Sequence, residues 1–325
     1  MHAWLCEEPV GPAALRWANL PRPEPSPGEV RVAIRAASLN FPDLLIVQGR
    51  YQHKPPLPFV PGAELAGIVD AVGAGVEGLR TGDRVAAFCG TGGFATHACV
   101  PASAVVPIPP GMDFETAAAF VLTYGTSHHA LVDRAALQPH ETVLVLGAAG
   151  GVGTAAIQIA KAVGARVIAG ASSEAKRRRC LELGADAVLD TTADDLRAAI
   201  KSLSGDRGPD VVFDPVGGAL AEPVFRSIAW RGRHLVIGFA QGGIPALPWN
   251  LALLKGASIV GVFWGDFARR EPTSNARALA ELAAWHAQGL VSPVIHQRLP
   301  MTELKQAFDT LARREVIGKL VLCND

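Results

Sequence analysis

The chain has no C-x-x-C pair, no excess of either charge, and no apolar run approaching the roughly 20 residues of a membrane span. Each absence excludes a class. Its five cysteines, Cys6, Cys89, Cys99, Cys180 and Cys323, are odd in number and scattered, so they read as reduced thiols rather than a disulfide framework. Lys plus Arg equals Asp plus Glu at 30 each, which leaves no global field for nucleic acid or an anionic membrane. Any anion site must therefore be local. The N-terminus lacks a basic region followed by an apolar stretch, since Glu7 and Glu8 interrupt it, and the reading is a soluble, cytoplasmic protein. Aromatic residues are scarce at 6%, with Tyr51 and Tyr124 the only tyrosines. His128 and His129 are adjacent, about 100° apart on a helix, so they do not chelate one ion and read as packing or solvent-facing groups.

What is present is a long chain, 325 residues and 49% hydrophobic, enough for two domains. Short β-branched runs at 30–38, 66–73, 83–88 and 94–101, separated by Pro and Gly, predict a compact β-barrel-like domain. From about 115 to 265 the pattern changes. Helical segments (114–132, 151–163, 173–183, 193–203, 219–230) alternate with apolar strands (142–147, 166–170, 187–189, 210–214, 233–238, 257–262), the pattern of a doubly wound parallel sheet. Helices at 274–289 and 302–314 follow, and the last short strands, V-I-H-Q-R-L-P and K-L-V-L-C, return to the first domain.

The most informative stretch runs from Thr142 to Lys161, an apolar strand, a glycine turn and an Ala-rich helix. Such a turn presents backbone N–H groups and a positive helix end to a pyrophosphate. The expected contacts are Ala149, Gly150, Gly151, Val152 and Gly153: Gly150 and Gly151 for the turn and close approach, Gly153 for packing on the strand. Ala148 replaces the first glycine of the usual G-x-G-x-x-G. Another absence follows. Where the second strand normally ends in an acid that binds the ribose hydroxyls, this chain has Ala171 and Ser172, then Ser173 and Lys176. Hydroxyls and a cation suit a 2′-phosphate, so the expected cofactor is NADPH. Two later clusters, D-P-V-G-G and G-F-A-Q-G, make Val216, Gly217, Gly238 and Phe239 candidates to flank the ribose and nicotinamide.

In order along the chain, S-L-N-F-P-D (38–43), P-G-A-E-L-A-G-I-V (61–69), G-D-R-V (82–85), G-A-A-G-G-V-G (147–153), D-P-V-G-G (214–218) and G-K-L-V-L (318–322) closely resemble the zinc-independent quinone oxidoreductase (zeta-crystallin-like) branch of the medium-chain dehydrogenase/reductase superfamily. The resemblance implies an α/β fold: a GroES-like β-barrel catalytic domain from residues 1–121 and 268–325, a Rossmann-type domain at 122–267, and an active site in the cleft separating them. Zinc-dependent relatives carry Cys where Asn40 stands, His where Ala63 stands and a third Cys near Leu122, and a four-cysteine lobe that this chain lacks, so no metal is expected. Without a Lewis acid, quinones and conjugated enones become the natural small-molecule acceptors.

The same resemblance places Thr126 and Lys319 near the cofactor, and Asn40 in the cleft, hydrogen-bonding the acceptor or the nicotinamide ribose. Tyr51, in Q-G-R-Y, resembles the tyrosine thought to donate a proton in enoyl-thioester reductases; walling the pocket is the alternative. Asp43 and Glu64 are expected to hold Arg or backbone donors. Phe263 and Trp264 suggest an apolar lining, with interdomain packing as the other reading. The competing functions are a 2-enoyl (enone or enoyl-thioester) reductase and a non-catalytic NADPH-binding structural protein. The apolar strand at 257–263, last in its sheet, predicts a homodimer through that edge.

Overall fold

The computed structural model describes residues 1–324 and divides into two compact units, Met1–Leu122 with the chain from Pro293 onward, and Thr123–Ser292. In the first unit a seven-stranded sheet is organised around the long strand Glu29–Leu39. Glu64–Val72 pairs along one of its edges. The other edge is shared: His97–Pro101 pairs with residues 29–33, and Lys319–Cys323 pairs with residues 36–39. Register shifts near Arg31 and Ile34 mark the bulges that bend the strand enough to serve both partners. Val30, Val32, Leu65, Val69, Phe94, Phe308 and Leu322 fill the core, where the Phe94 and Phe308 rings meet edge to face at 6.3 Å. The last strand thus delivers Lys319 beside Ser38 and Asn40.

The second unit holds a six-stranded, wholly parallel sheet in the order Ala187–Asp190, Arg166–Ala171, Thr142–Val145, Val211–Asp214, Arg233–Val236, Ser258–Gly261. This is the doubly wound order, with its reversal at the junction of Thr142–Val145 and Val211–Asp214. Ligands of such sheets lie beyond the strands' carboxyl ends at that reversal. Leu144, Leu146, Ile168 and Val212 from the sheet and Val224 and Ile228 from the helix Ala221–Ser227 and its end form one buried cluster. No helix among the described residues is long and apolar enough to cross a membrane.

The structure departs from the sequence expectations at three places. The helix expected at 114–132 is broken into Phe114–Ala118, Val121–His128 and a wide π turn, His129–Arg134. Short helices Phe41–Val47, Asn250–Lys255 and Trp264–Arg270 lie where motifs or turns dominate the sequence pattern. Residues 268–292, expected with the β domain, belong to the second unit. There the helix Pro272–Ala287 is tied by Glu281 to the His128 Nε2 at 2.8 Å, and by Asn275, whose Oδ1 accepts from Trp264 Nε1 at 3.0 Å.

Candidate active site

In the phosphate turn the backbone carries the function. Strand Thr142–Val145 is wholly buried, and its extension is pinned when Leu146 N–H donates to Phe213 and Ala148 N–H to Gly170. Helix Gly151–Val163 then starts with no side-chain cap on its first N–H groups, which leaves them for a ligand. The glycine requirement falls differently from expectation. Gly150 has an ordinary φ of −79°, and a Cβ there would meet only the Gly147 oxygen at 3.4 Å. It is Gly147 that adopts a left-handed φ of 57° and Gly153 that admits no side chain, since a Cβ there would lie 2.3 Å from the Gly147 oxygen. Ala149 is buried within the turn, and Val152 is half-buried, its carbonyl accepting from Ser127 Oγ at 2.9 Å. Thr126, one residue earlier, is half-buried on the helix Val121–His128.

At the end of strand Arg166–Ala171, Ala171 is buried while Ser172 and Ser173 are exposed. Ser173 caps the next helix, Glu174–Glu182, its Oγ accepting from Lys176 N–H at 3.4 Å, so its hydroxyl proton remains available to donate. Lys176 is half-buried one turn further on. Arg177, which follows Lys176 in the same turn of the sequence, bends back over the strand end to Ala171 O at 3.2 Å and Asp190 at 3.0 Å.

Val216 and Gly217 lie in the loop after Val211–Asp214, Gly238 and Phe239 in the loop after Arg233–Val236. The two loops are stitched together: Ala240 N–H donates to Pro215 O at 3.1 Å, Gln241 N–H to Val216 O at 3.0 Å, and Gly218 N–H to Gly243 O at 3.0 Å. Phe263 is 59% exposed, on the rim of a groove of about 400 Å³ shared with His129, Arg134 and Phe267. Tyr124 is buried, its hydroxyl donating to Gln158 at 2.7 Å.

The β unit places a different kind of site around Glu64, which is 1% exposed. Its Oε1 accepts from Ser38 Oγ, from Asn40 Nδ2 at 3.0 Å and from Lys319 Nζ at 3.0 Å, and its Oε2 accepts from Leu122 N–H at 3.0 Å. Lys319, itself 4% exposed, also donates to Asn40 Oδ1. Glu64 therefore holds a lysine, two side-chain donors and a backbone N–H, and Asp43 holds a backbone N–H, with no arginine on either carboxylate among the described residues. Asn40 is turned inward: its oxygen takes the ammonium, and its amide protons go to Glu64 and to Ser38 O at 3.3 Å. Both Asn40 amide protons are thus engaged within this unit. Lys319, expected at the cofactor edge, has its ammonium committed to this buried pair.

Asp43 lies under the cluster, one oxygen accepting from Asn40 N–H at 2.8 Å and the other buried without a partner. Burial raises its pKa to about 7 despite that N–H and the Lys319 charge. The half-buried Tyr51 hydroxyl is likewise pushed up, by burial first and then by the Asp43 charge. It keeps its proton at neutral pH.

The donor set does not fit a catalytic zinc. The three ligand positions carry an amide, a methyl and an isobutyl group (Asn40, Ala63, Leu122), and Lys319 brings a cation between Asn40 and Glu64. A divalent ion would meet a like charge. A doubly wound sheet with a bare helix start, encoded within the chain of a GroES-like unit, defines a nucleotide-dependent oxidoreductase of the medium-chain type.

Comparison with known proteins gives the same class. Residues 26–110 match the alcohol dehydrogenase GroES-like domain family, and residues 151–284 match the zinc-binding dehydrogenase family. A quinone oxidoreductase-like protein 2 homolog from Nematostella vectensis is 38% identical over 90% of this chain and 81% of its own length. The mycobacterial Rv1454c structure, complexed with NADPH, is 30% identical with a TM-score of 0.94 over 100% of both chains. The Escherichia coli quinone oxidoreductase, also complexed with NADPH, is 28% identical with a TM-score of 0.93 over 100% of both chains. The chain belongs to the quinone oxidoreductase branch of the medium-chain dehydrogenase/reductase superfamily.

Proposed function

We propose that the protein is an NADPH-dependent quinone oxidoreductase that works as a cytoplasmic homodimer without a metal. The observation that carries the reading is the cation position filled by Lys319 beside Asn40 and Glu64, which leaves hydride-ready conjugated acceptors rather than alcohols as substrates. The NADPH bound by the mycobacterial and E. coli relatives supports the cofactor, as do Ser172, Ser173 and Lys176 in place of a ribose-binding acid.

The uncapped helix start and the Gly147–Gly153 turn would hold the pyrophosphate, and Ser172, Ser173 and Lys176 the 2′-phosphate. Thr126 and the loops bearing Val216, Gly217, Gly238 and Phe239 would border the ribose and nicotinamide, with Phe263 the outer candidate. When bound, NADPH supplies the hydride; with one proton this converts a quinone to its hydroquinone. Tyr51, whose hydroxyl stays protonated at neutral pH, is the proposed donor of that proton. Asn40 orients the charge pair behind the site.

The same Tyr51 favours a second reading, a 2-enoyl reductase, because protonation of a carbon or enolate needs a positioned donor more than a quinone does. Parallel NADPH-oxidation assays with a 1,4-quinone and a trans-2-enoyl-CoA separate the two; faster turnover of the thioester would overturn the quinone assignment. Turnover of either removes a purely structural role. For the dimer, the edge strand Ser258–Gly261 is followed by exposed Phe263 and carries Ile259 at 45% exposure. A monomer mass by light scattering at micromolar concentration would contradict it.

A further inference from the structure

We propose that Asp214, anchored by His234, is the positioning residue that sets cofactor affinity by holding the two nucleotide-side loops as one unit. Asp214 ends the strand Val211–Asp214 and is 3% exposed. Its Oδ1 accepts two backbone bonds, from Val216 N–H and Gly217 N–H, both at 2.8 Å. Its Oδ2 lies 3.0 Å from the Nε2 of His234, a residue of the adjacent strand that is 2% exposed. Since the His234 Nδ1 is buried with no partner, the proton belongs on Nε2, where it is donated to the carboxylate.

The carboxylate therefore fixes the direction of the Val216–Gly217 peptide units, and the loop they begin is the one clasped by residues 240–243. Ala219 N–H adds a bond to Gln241 Oε1 at 3.1 Å. The clasp is tight enough to demand glycine twice. Gly217 and Gly218 have φ of 62° and 61°; a Cβ would lie 2.7 Å from the Phe239 ring at the first and 2.2 Å from Gln241 Oε1 at the second. Remove Asp214 Oδ1 and two N–H groups, that of Gly217 buried and that of Val216 half-buried, lose their acceptor, so the loop relaxes away from its partner. This rests on the reading that these loops border NADPH.

The test measures NADPH Kd and thermal stability together in the wild type, Asp214→Ala and Asp214→Asn. Asparagine keeps Oδ1 and both N–H bonds but loses the charge that His234 holds. The expected result is a lower Tm in both variants, with Kd raised at least tenfold in alanine and within about threefold of wild type in asparagine. A folded alanine variant with unchanged Kd, or equal Kd changes in both variants, would overturn the proposal. If wild type fails to bind NADPH, the cofactor reading itself is wrong. Should the alanine variant not fold, amide exchange in the wild type decides: slow exchange at Val216 and Gly217 supports the clasp, and rates of open loop amides contradict it.

Discussion

In the turn at 147–153 every group offered to an anion is backbone, contributed by neighbours along one strand-to-helix junction. Around Glu64 the partners are side chains and one amide drawn from positions 38, 40, 122 and 319, with Asn40 and Lys319 separated by 279 residues. The first site is a local conformation; the second exists only after the sheet has brought Lys319–Cys323 against Glu29–Leu39. A backbone cradle tolerates change wherever a Cβ has room, whereas a buried charge cluster tolerates the loss of no member, because each leaves an unpaired group.

The largest expected effect comes from breaking the cluster. Lys319→Met strands the Glu64 carboxylate in the interior and should cost about 3–5 kcal/mol in urea unfolding. Adding Glu64→Gln should recover most of it. If the single change is neutral, the pair contributes nothing and the contrast fails.

The second effect concerns pH. Asp43 has a folded pKa of about 7 against an unfolded value of about 3.9, so the folded state binds the extra proton. Its contribution is fully present below about pH 4 and is lost as pH rises towards 7, by up to about 1.4 kcal/mol per pH unit, then stays flat. Asp43→Asn should flatten that slope in a stability-against-pH series; an unchanged slope would place the titration elsewhere.

These outcomes bear on what the sequence could reveal. The doubly wound order, the turn and the missing acid after Ala171 were legible because periodicity and glycine spacing are local. Ser38, Glu64 and Lys319 each lie in a recognisable motif, yet their mutual contacts were not, since no local pattern records a pairing across 255 residues. Asn40 is the instructive case: its place in S-L-N-F-P-D pointed to the site, and only the long-range partners revealed that its amide faces inward. Asp214 and His234 were hidden likewise, one in a motif read for its glycines and the other in a strand read as apolar.

Smaller effects sharpen the backbone side. Gly153→Ala should cost about 1–3 kcal/mol, because its Cβ meets unyielding backbone, while Gly150→Ala should be near neutral for folding. Equal costs, by the same unfolding assay, would mean that the turn is not set by Gly147 and Gly153. Tyr51→Phe should lower kcat on an enone about 100-fold while leaving NADPH binding intact; an unchanged kcat would assign the ring to the pocket wall alone. Smallest of all, Ser172→Asp should shift preference away from NADPH by roughly tenfold, or ~1.4 kcal/mol, read from the ratio of kcat/KM values for the two cofactors.

The most direct measurement is that ratio in the unaltered protein: kcat/KM for NADPH and for NADH with a 1,4-quinone as acceptor. A strand end carrying Ala171, Ser172, Ser173 and Lys176 predicts at least about a tenfold preference for NADPH. Comparable values for the two cofactors, or a preference for NADH, would contradict it.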